Sequence, residues 1–247
     1  MLMLYFSGTG NSKYIAEVFC KKMNAKCYSI EDKVDFDSLI NGEDIIGFCY
    51  PIYCAKPPRI VREFAEKHIK AFENKKLIIF CTQYMFSGDG ARSFIDLFAE
   101  NPPEVLYAEH FLMPNNLNNF LPVSGERSKK RYMKRAERKL HVICDNIKSG
   151  IVKKRGFNAL SKLFGAMEGS FAPKMESAAR NAIKINKNCT QCGLCVSICP
   201  THNYIYENEK IAVKQNCTLC YRCINKCPQK AISIFLHHKV KKQYTGF

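Results

Sequence analysis

The chain has 247 residues, 47% of them hydrophobic, with a formal net charge of +16, enough for one good core and a smaller second unit. No apolar run approaches the ~20 residues of a membrane span, and the N-terminus lacks a signal peptide's charged start and small-residue cleavage site, so a cytoplasmic location is expected. In a reducing compartment fourteen cysteines exclude a disulfide scaffold, and clustered ones read as metal ligands.

Residues 1–6 are wholly apolar, as in a buried parallel strand. Tyr14, Ile15, Val18 and Phe19 then recur at helical spacing, which predicts a helix starting near Asn11–Ser12. Between them lies Ser7-Gly8-Thr9-Gly10-Asn11-Ser12. A strand, a tight glycine turn and a helix N-terminus form an anion site from free N–H groups and the helix dipole. The P-loop spacing fails, because Gly8 and Gly10 are one residue apart and no Gly-Lys-Ser/Thr follows. The dinucleotide fingerprint fails where Lys13 stands in place of its third glycine. The plain alternative is a glycine turn with a serine cap.

Further along, 26–29 reads as a weak strand and 44–50 (DIIGFCY) as a clear one. Pro57-Pro58 would start a helix over 59–69. A strand over 76–81, a helix over 91–99 and a strand over 105–112 follow. This alternation predicts a doubly wound α/β sheet, in which loops at the carboxyl ends of the strands converge on one ligand. Two such loops are 50–58, with Pro51, Ile52, Tyr53 and Cys54, and 82–90, with Thr82, Gln83, Tyr84, Met85, Phe86, Ser87, Gly88, Asp89 and Gly90.

Residues 124–149 place Tyr132, Ala136, Leu140, Ile143 and Ile147 on one face of a long helix that Gly150 would stop. Phe157, Leu160, Phe164, Met167 and Phe171 suggest a shorter second helix. Both apolar faces are expected to pack on the sheet or bridge it to the C-terminal region. Charge is unevenly spread. Residues 1–123 carry 13 Lys/Arg against 15 Asp/Glu, residues 124–188 carry 17 against 5, and residues 189–247 carry 8 against 2. The basic face of the long helix is a solvated face, a dock for an acidic redox protein, or a nucleic-acid or membrane surface, with the acidic partner preferred. No nucleic-acid motif or aromatic platform accompanies it.

Eight cysteines repeat one pattern: Cys189-x2-Cys192-x2-Cys195-x3-Cys199-Pro200 and Cys217-x2-Cys220-x2-Cys223-x3-Cys227-Pro228. Zinc sites use paired C-x2-C, but they need neither three thiolates in one tight hook nor the trailing Cys-Pro. Cys20, Cys27, Cys49, Cys54, Cys81 and Cys144 show no such motif, and most read as small core residues.

The first loop resembles the T-G-T-G-N-T phosphate loop of flavodoxins, and the cysteine repeats closely resemble the bacterial two-cluster ferredoxin. Together they resemble the flavodoxin–ferredoxin fusions of anaerobes over nearly the whole chain. The resemblance implies an FMN domain over 1–150, a basic helical linker over 151–182 and a small α+β ferredoxin domain over 183–247. It implies FMN held by Ser7, Thr9, Gly10, Asn11 and Ser12, with ring contacts from Pro51, Ile52, Tyr53, Cys54, Thr82, Gln83, Tyr84, Gly88 and Gly90. Tyr53 and Tyr84 are the stacking candidates. It implies two [4Fe–4S] clusters, one on Cys189, Cys192, Cys195 and Cys227, the other on Cys217, Cys220, Cys223 and Cys199. The expected function is electron transfer between clusters, FMN and an external partner, preferably an acidic redox protein. Reduction of a small quinone-like substrate at the flavin, or redox sensing without turnover, are the alternatives.

Overall fold

The structure, a computed structural model, describes all residues except 86–87, 99–100, 118–121 and 237–239. Phe86, Ser87 and the expected helix end Ala99 therefore lie outside the described residues. Strand β1 (Leu2–Tyr5) leads to α1 (Asn11–Met23), then β2 (Lys26–Ser29) and α2 (Phe36–Asn41). Next come β3 (Ile45–Pro51), α3 (Arg59–Lys67), β4 (Lys76–Gln83), α4 (Gly90–Ile95) and β5 (Glu104–Leu112). They are followed by α5 (Glu126–Lys148), β6 (Lys153–Lys154), α6 (Ala159–Gly169) and α7 (Ala172–Asn181).

The strands form one six-stranded sheet in the order β2-β1-β3-β4-β5-β6, with every pairing parallel. The central strands are buried on both faces, which is why they read as continuous apolar runs. On one face Ile15 and Phe19 of α1 meet Ala136, Leu140 and Ile143 of α5. On the other, Ile40, Val61, Phe64 and Phe94 close a second core. The long basic helix thus completes the fold, and Gly150 ends it at φ +69°.

Three elements depart from the sequence expectation. Helix α2 was too short to show periodicity; Asp35 caps it by accepting from the Ser38 N–H at 3.1 Å. Strand β6 consists of two lysines paired with Tyr107 and Ala108, so it carries no apolar signal. Helix α6 forms, but its apolar face was expected to be buried and is instead exposed: Leu160, Met167 and the following Phe171 point to solvent. Close packing explains the inversion, because Gly165 and Gly169 take the inner face against Asp89 and Lys56. Of that apolar series only Phe157 turns inward, packing on the sheet core with the Arg92 guanidinium 5.5 Å from its ring centre.

The C-terminal region is a small α+β unit. Strands β7 (Ile183–Ile185) and β10 (Ile232–Ile234) pair antiparallel, as do β8 (Tyr204–Glu207) and β9 (Lys210–Val213). Two five-residue helices, α8 (Leu194–Ile198) and α9 (Arg222–Lys226), follow equivalent turns.

Candidate cofactor sites

The first site lies at the carboxyl ends of β1, β3, β4 and β5. Gly10 sits at the N-cap of α1 with φ +106°, a conformation that favours glycine. Its N–H donates to Ser7 Oγ at 3.0 Å, which tightens the turn. The first intrahelical bond runs from the Tyr14 N–H to the Gly10 carbonyl at 2.9 Å. The N–H groups of Asn11, Ser12 and Lys13 therefore precede the helix's own ladder and point out of its positive end.

The loop's side chains are held by neighbours. Ser12 and Thr82 share a buried hydroxyl bond of 2.7 Å that ties the first turn of α1 to the end of β4. Asn116 donates to Thr9 Oγ1 at 2.6 Å, which leaves the Thr9 O–H as a donor. Asn11 donates to the Pro114 carbonyl at 3.1 Å and accepts from the Tyr244 hydroxyl at 2.6 Å. Helix N–H groups and neutral hydroxyls, with no cation among the described residues that line the cavity, fit one phosphate monoester.

From this loop a cavity of about 260 Å3 opens along the strand ends. Ser7, Thr9, Asn11, Ser12, Pro51, Ile52, Tyr53, Thr82, Gln83 and Tyr84 all line it. Gly10, Cys54, Gly88 and Gly90 stand outside it. Gly10 shapes the turn, and Cys54 lies in the bend of the β3 loop at φ +47°. Gly88 packs against Gly165, and a Cβ on Gly90 would overlap Ile52. Met85, Pro114, Asn116 and Leu117 complete the walls. The last three belong to the loop after β5; a Pro-Asn-Asn run at the carboxyl end of an apolar strand was the signal that could have found them. Apolar walls with a few amides suit a planar ring such as a flavin. Tyr53 stays a neutral ring, since burial first, and then negative charge at the Cys220 and Cys217 sulfurs, raise its phenol well above the usual range.

The second site is built from the cysteine repeats. Gln191 and Leu219 have φ of +57° and +59°, and Gly193 and Tyr221 have φ of +74° and +57°. Matching positions of the two hooks thus share one left-handed shape. One cavity is lined by Cys189, Cys192, Cys195 and Cys227, and a second by Cys199, Cys217, Cys220 and Cys223. Cys223 lines both. Backbone N–H groups of Asn203, Leu219 and Ala231 donate to Cys199, Cys217 and Cys227, each at 3.3 Å. Among the described residues no three His, Cys, Asp or Glu converge to hold a single ion. Four thiols around a cavity instead suit a polynuclear cluster, whose ligands stand outside its inorganic core. Burial is the main cause that pushes Cys217 to about 11 and Cys220 to about 12, so thiolates there need the field of bound metal.

The two sites touch. Gly8 of the phosphate loop lies so close to the Cys220 carbonyl that a Cβ there would overlap it. Tyr53 lines the first cavity and also packs on the hydrophobic cluster around Cys217 and Cys223. Arg222, inside the second hook, donates to the carbonyls of Ser7 at 2.9 Å, Gly8 at 3.2 Å and Ile198 at 3.0 Å. Its other bonds go to both oxygens of Glu31, at 2.6 and 2.7 Å. Neither this arginine nor the tail residue Tyr244 carried a motif in the sequence.

Two regions of the chain match known domains. Residues 2–124 match the flavodoxin domain, and residues 188–232 match the 4Fe-4S dicluster domain. No curated protein matches. Similar solved structures include the two-electron reduced flavodoxin of Megasphaera elsdenii, with 18% identity over 56% of this chain and 99% of that one, at TM-score 0.40. A flavodoxin from the domain Archaea has 13% identity over 60% and 97%, at TM-score 0.42. A WrbA-like flavodoxin from Agrobacterium tumefaciens has 17% identity over 60% and 97%, at TM-score 0.41. The chain is a fusion of a flavodoxin domain with a 4Fe-4S dicluster domain, built for electron transfer.

Proposed function

We propose that this protein holds FMN and two [4Fe–4S] clusters and exchanges electrons with an acidic redox protein. The observation that carries the reading is the shared wall between the two sites, where Gly8 abuts Cys220 and Tyr53 faces both. Bound FMN supplies one- or two-electron chemistry, and each cluster one-electron chemistry. The protein's own residues supply binding and distance. The N–H groups of α1 with Thr9 and Ser12 would hold the phosphate, and Ile52, Tyr53 and Tyr84 would flank the ring. Arg222 would fix the second hook against the phosphate loop.

The acidic partner is inferred from α5. Lys129 is engaged by Glu126 at 3.0 Å and Thr245 at 2.8 Å, and Lys139 by Glu109 at 3.0 Å. Arg131, Lys134, Arg135 and Arg138 instead line an open groove of about 450 Å3 beside Leu112, the end of β5. A reduced acidic ferredoxin mixed with the holoprotein should bleach its visible absorbance, at a rate falling steeply with salt. Reversing Arg131, Lys134 and Arg135 to Glu should slow association about ten-fold or more at unchanged cofactor content. A flat salt response with wild-type rates in the variant would return this groove to a solvated surface.

Reduction of a small substrate is the second reading. It is favoured by Met85, a cavity-wall residue that is 72% exposed. A quinone panel against the reduced protein separates the two, since a carrier turns none of them over.

A further inference from the structure

Helix α6 carries its large apolar side chains outward. Leu160, Leu163, Met167 and the following Phe171 are 63%, 60%, 60% and 59% exposed. Positions i, i+3, i+7 and i+11 form one stripe along a helical surface. Its inner face is glycine: a Cβ on Gly165 would overlap the Asp89 carboxylate, and one on Gly169 would come within 2.8 Å of Lys56 Cε. The backbone of α6 therefore rests on the loops that leave β3 and β4, the same loops that wall the flavin cavity. Isolated exposed apolar residues are ordinary in any protein, but four on one short stripe mark a contact surface.

The charge around the stripe has one sign. The exposed ionic side chains of α6 and α7 are Lys162, Lys174 and Arg180, and Lys154 stands exposed just before them. The carboxylates turn inward: Glu176 is buried and holds Arg62 through bonds of 3.0 and 2.7 Å, and Glu168 is half-buried. A second copy would set one cationic border against another, in chains that each carry +16. A convex helix bearing flexible leucine and methionine side chains, ringed by lysines, matches an anionic lipid surface.

We propose that α6 is an interfacial anchor that seats this protein on an anionic phospholipid bilayer. The stripe enters the headgroup–acyl boundary, and Lys154, Lys162 and Lys174 lie on the headgroups. The anchor uses no cofactor contact and stands apart from electron transfer.

Vesicle sedimentation of the full-length holoprotein tests it, with phosphatidylcholine vesicles and with vesicles containing a quarter phosphatidylglycerol. The wild type should pellet with the anionic vesicles about ten-fold more than with the neutral ones, and less at high salt. Leu163→Glu with Met167→Glu should lower the bound fraction about ten-fold at an unchanged circular dichroism spectrum. Lys154, Lys162 and Lys174 replaced by Ser should remove the preference for anionic lipid. A wild type that stays in the supernatant with both vesicles overturns the proposal. So does a Glu variant that pellets like the wild type, or a wild-type dimer that the Glu variant dissociates, which would assign the stripe to a second copy.

Discussion

In the proposed FMN site, Thr9 and Ser12 are the residues on which phosphate binding would turn. Both are buried, and both hydroxyls already belong to a network, with Asn116 and Thr82. Replacing either with Ala should weaken FMN binding by about 1–3 kcal/mol, the cost of one lost polar partner of a buried anion; fluorescence titration of the flavin-stripped protein measures it. Burial, followed by the charges of Arg155 and Lys139, lowers His110 from 6.5 to about 4, against the pull of Glu109. For a histidine depressed in the folded state, the stability is present above the unfolded value and is lost as pH falls from 6.5 toward 4. Glu109 titrates lower. Burial alone would raise its carboxyl, but Lys153, the His110 N–H and Lys139 outweigh that and hold it at about 2. Its contribution is therefore lost only as pH falls from 4.5 toward 2. His110→Asn should remove about 2 kcal/mol of the stability difference between about pH 7.5 and about pH 5, read from urea midpoints against wild type. An identical pH response in the variant would show that other groups titrate there.

The elements that carry chemistry were the most legible in the sequence. The strand–turn–helix at 5–17 and the two cysteine hooks depend on local geometry, and local geometry leaves spacing in the chain. Apolar strands buried on both faces are equally plain, as β3 and β4 show. Elements held by tertiary contact left less trace: two lysines make β6 because β5 offers an unpaired edge, and α6 turns its glycines inward because two loops approach it closely. The third wall of the cavity, Pro114 to Leu117, was missed for the same reason, since loop position comes from topology. Cys199 ends the first hook in sequence but lines the cavity of the second. Cys199→Ala should first damage the cluster held by Cys217, Cys220 and Cys223, as seen by electron paramagnetic resonance; loss of the other cluster alone would contradict that ligand set. Without iron the C-terminal unit should fail to fold, because a region this small has little core of its own. Urea unfolding of the iron-free full-length chain should then show only the flavodoxin-domain transition.

At the scale of the whole molecule, two modules are fastened around their cofactor sites. The Arg222–Glu31 pair, the Arg59 bonds to Asn216 at 2.8 and 2.9 Å, and the bond from Asn225 to the Asn116 carbonyl at 3.1 Å all cross the same junction. Fixed distance between cofactors requires such a junction, and a flexible tether would not provide it. The basic excess lies mostly in residues 124–188, on α5 and around α6. On the proposed reading, one chain carries one FMN and two [4Fe–4S] clusters. The most direct test is chemical analysis of a single anaerobic preparation, with released flavin identified by mass and iron and sulfide counted per chain. About one FMN, about eight iron and about eight sulfide per chain are expected. Recovery of FAD, of zinc in place of iron, or of about four iron in a fully folded protein would contradict it.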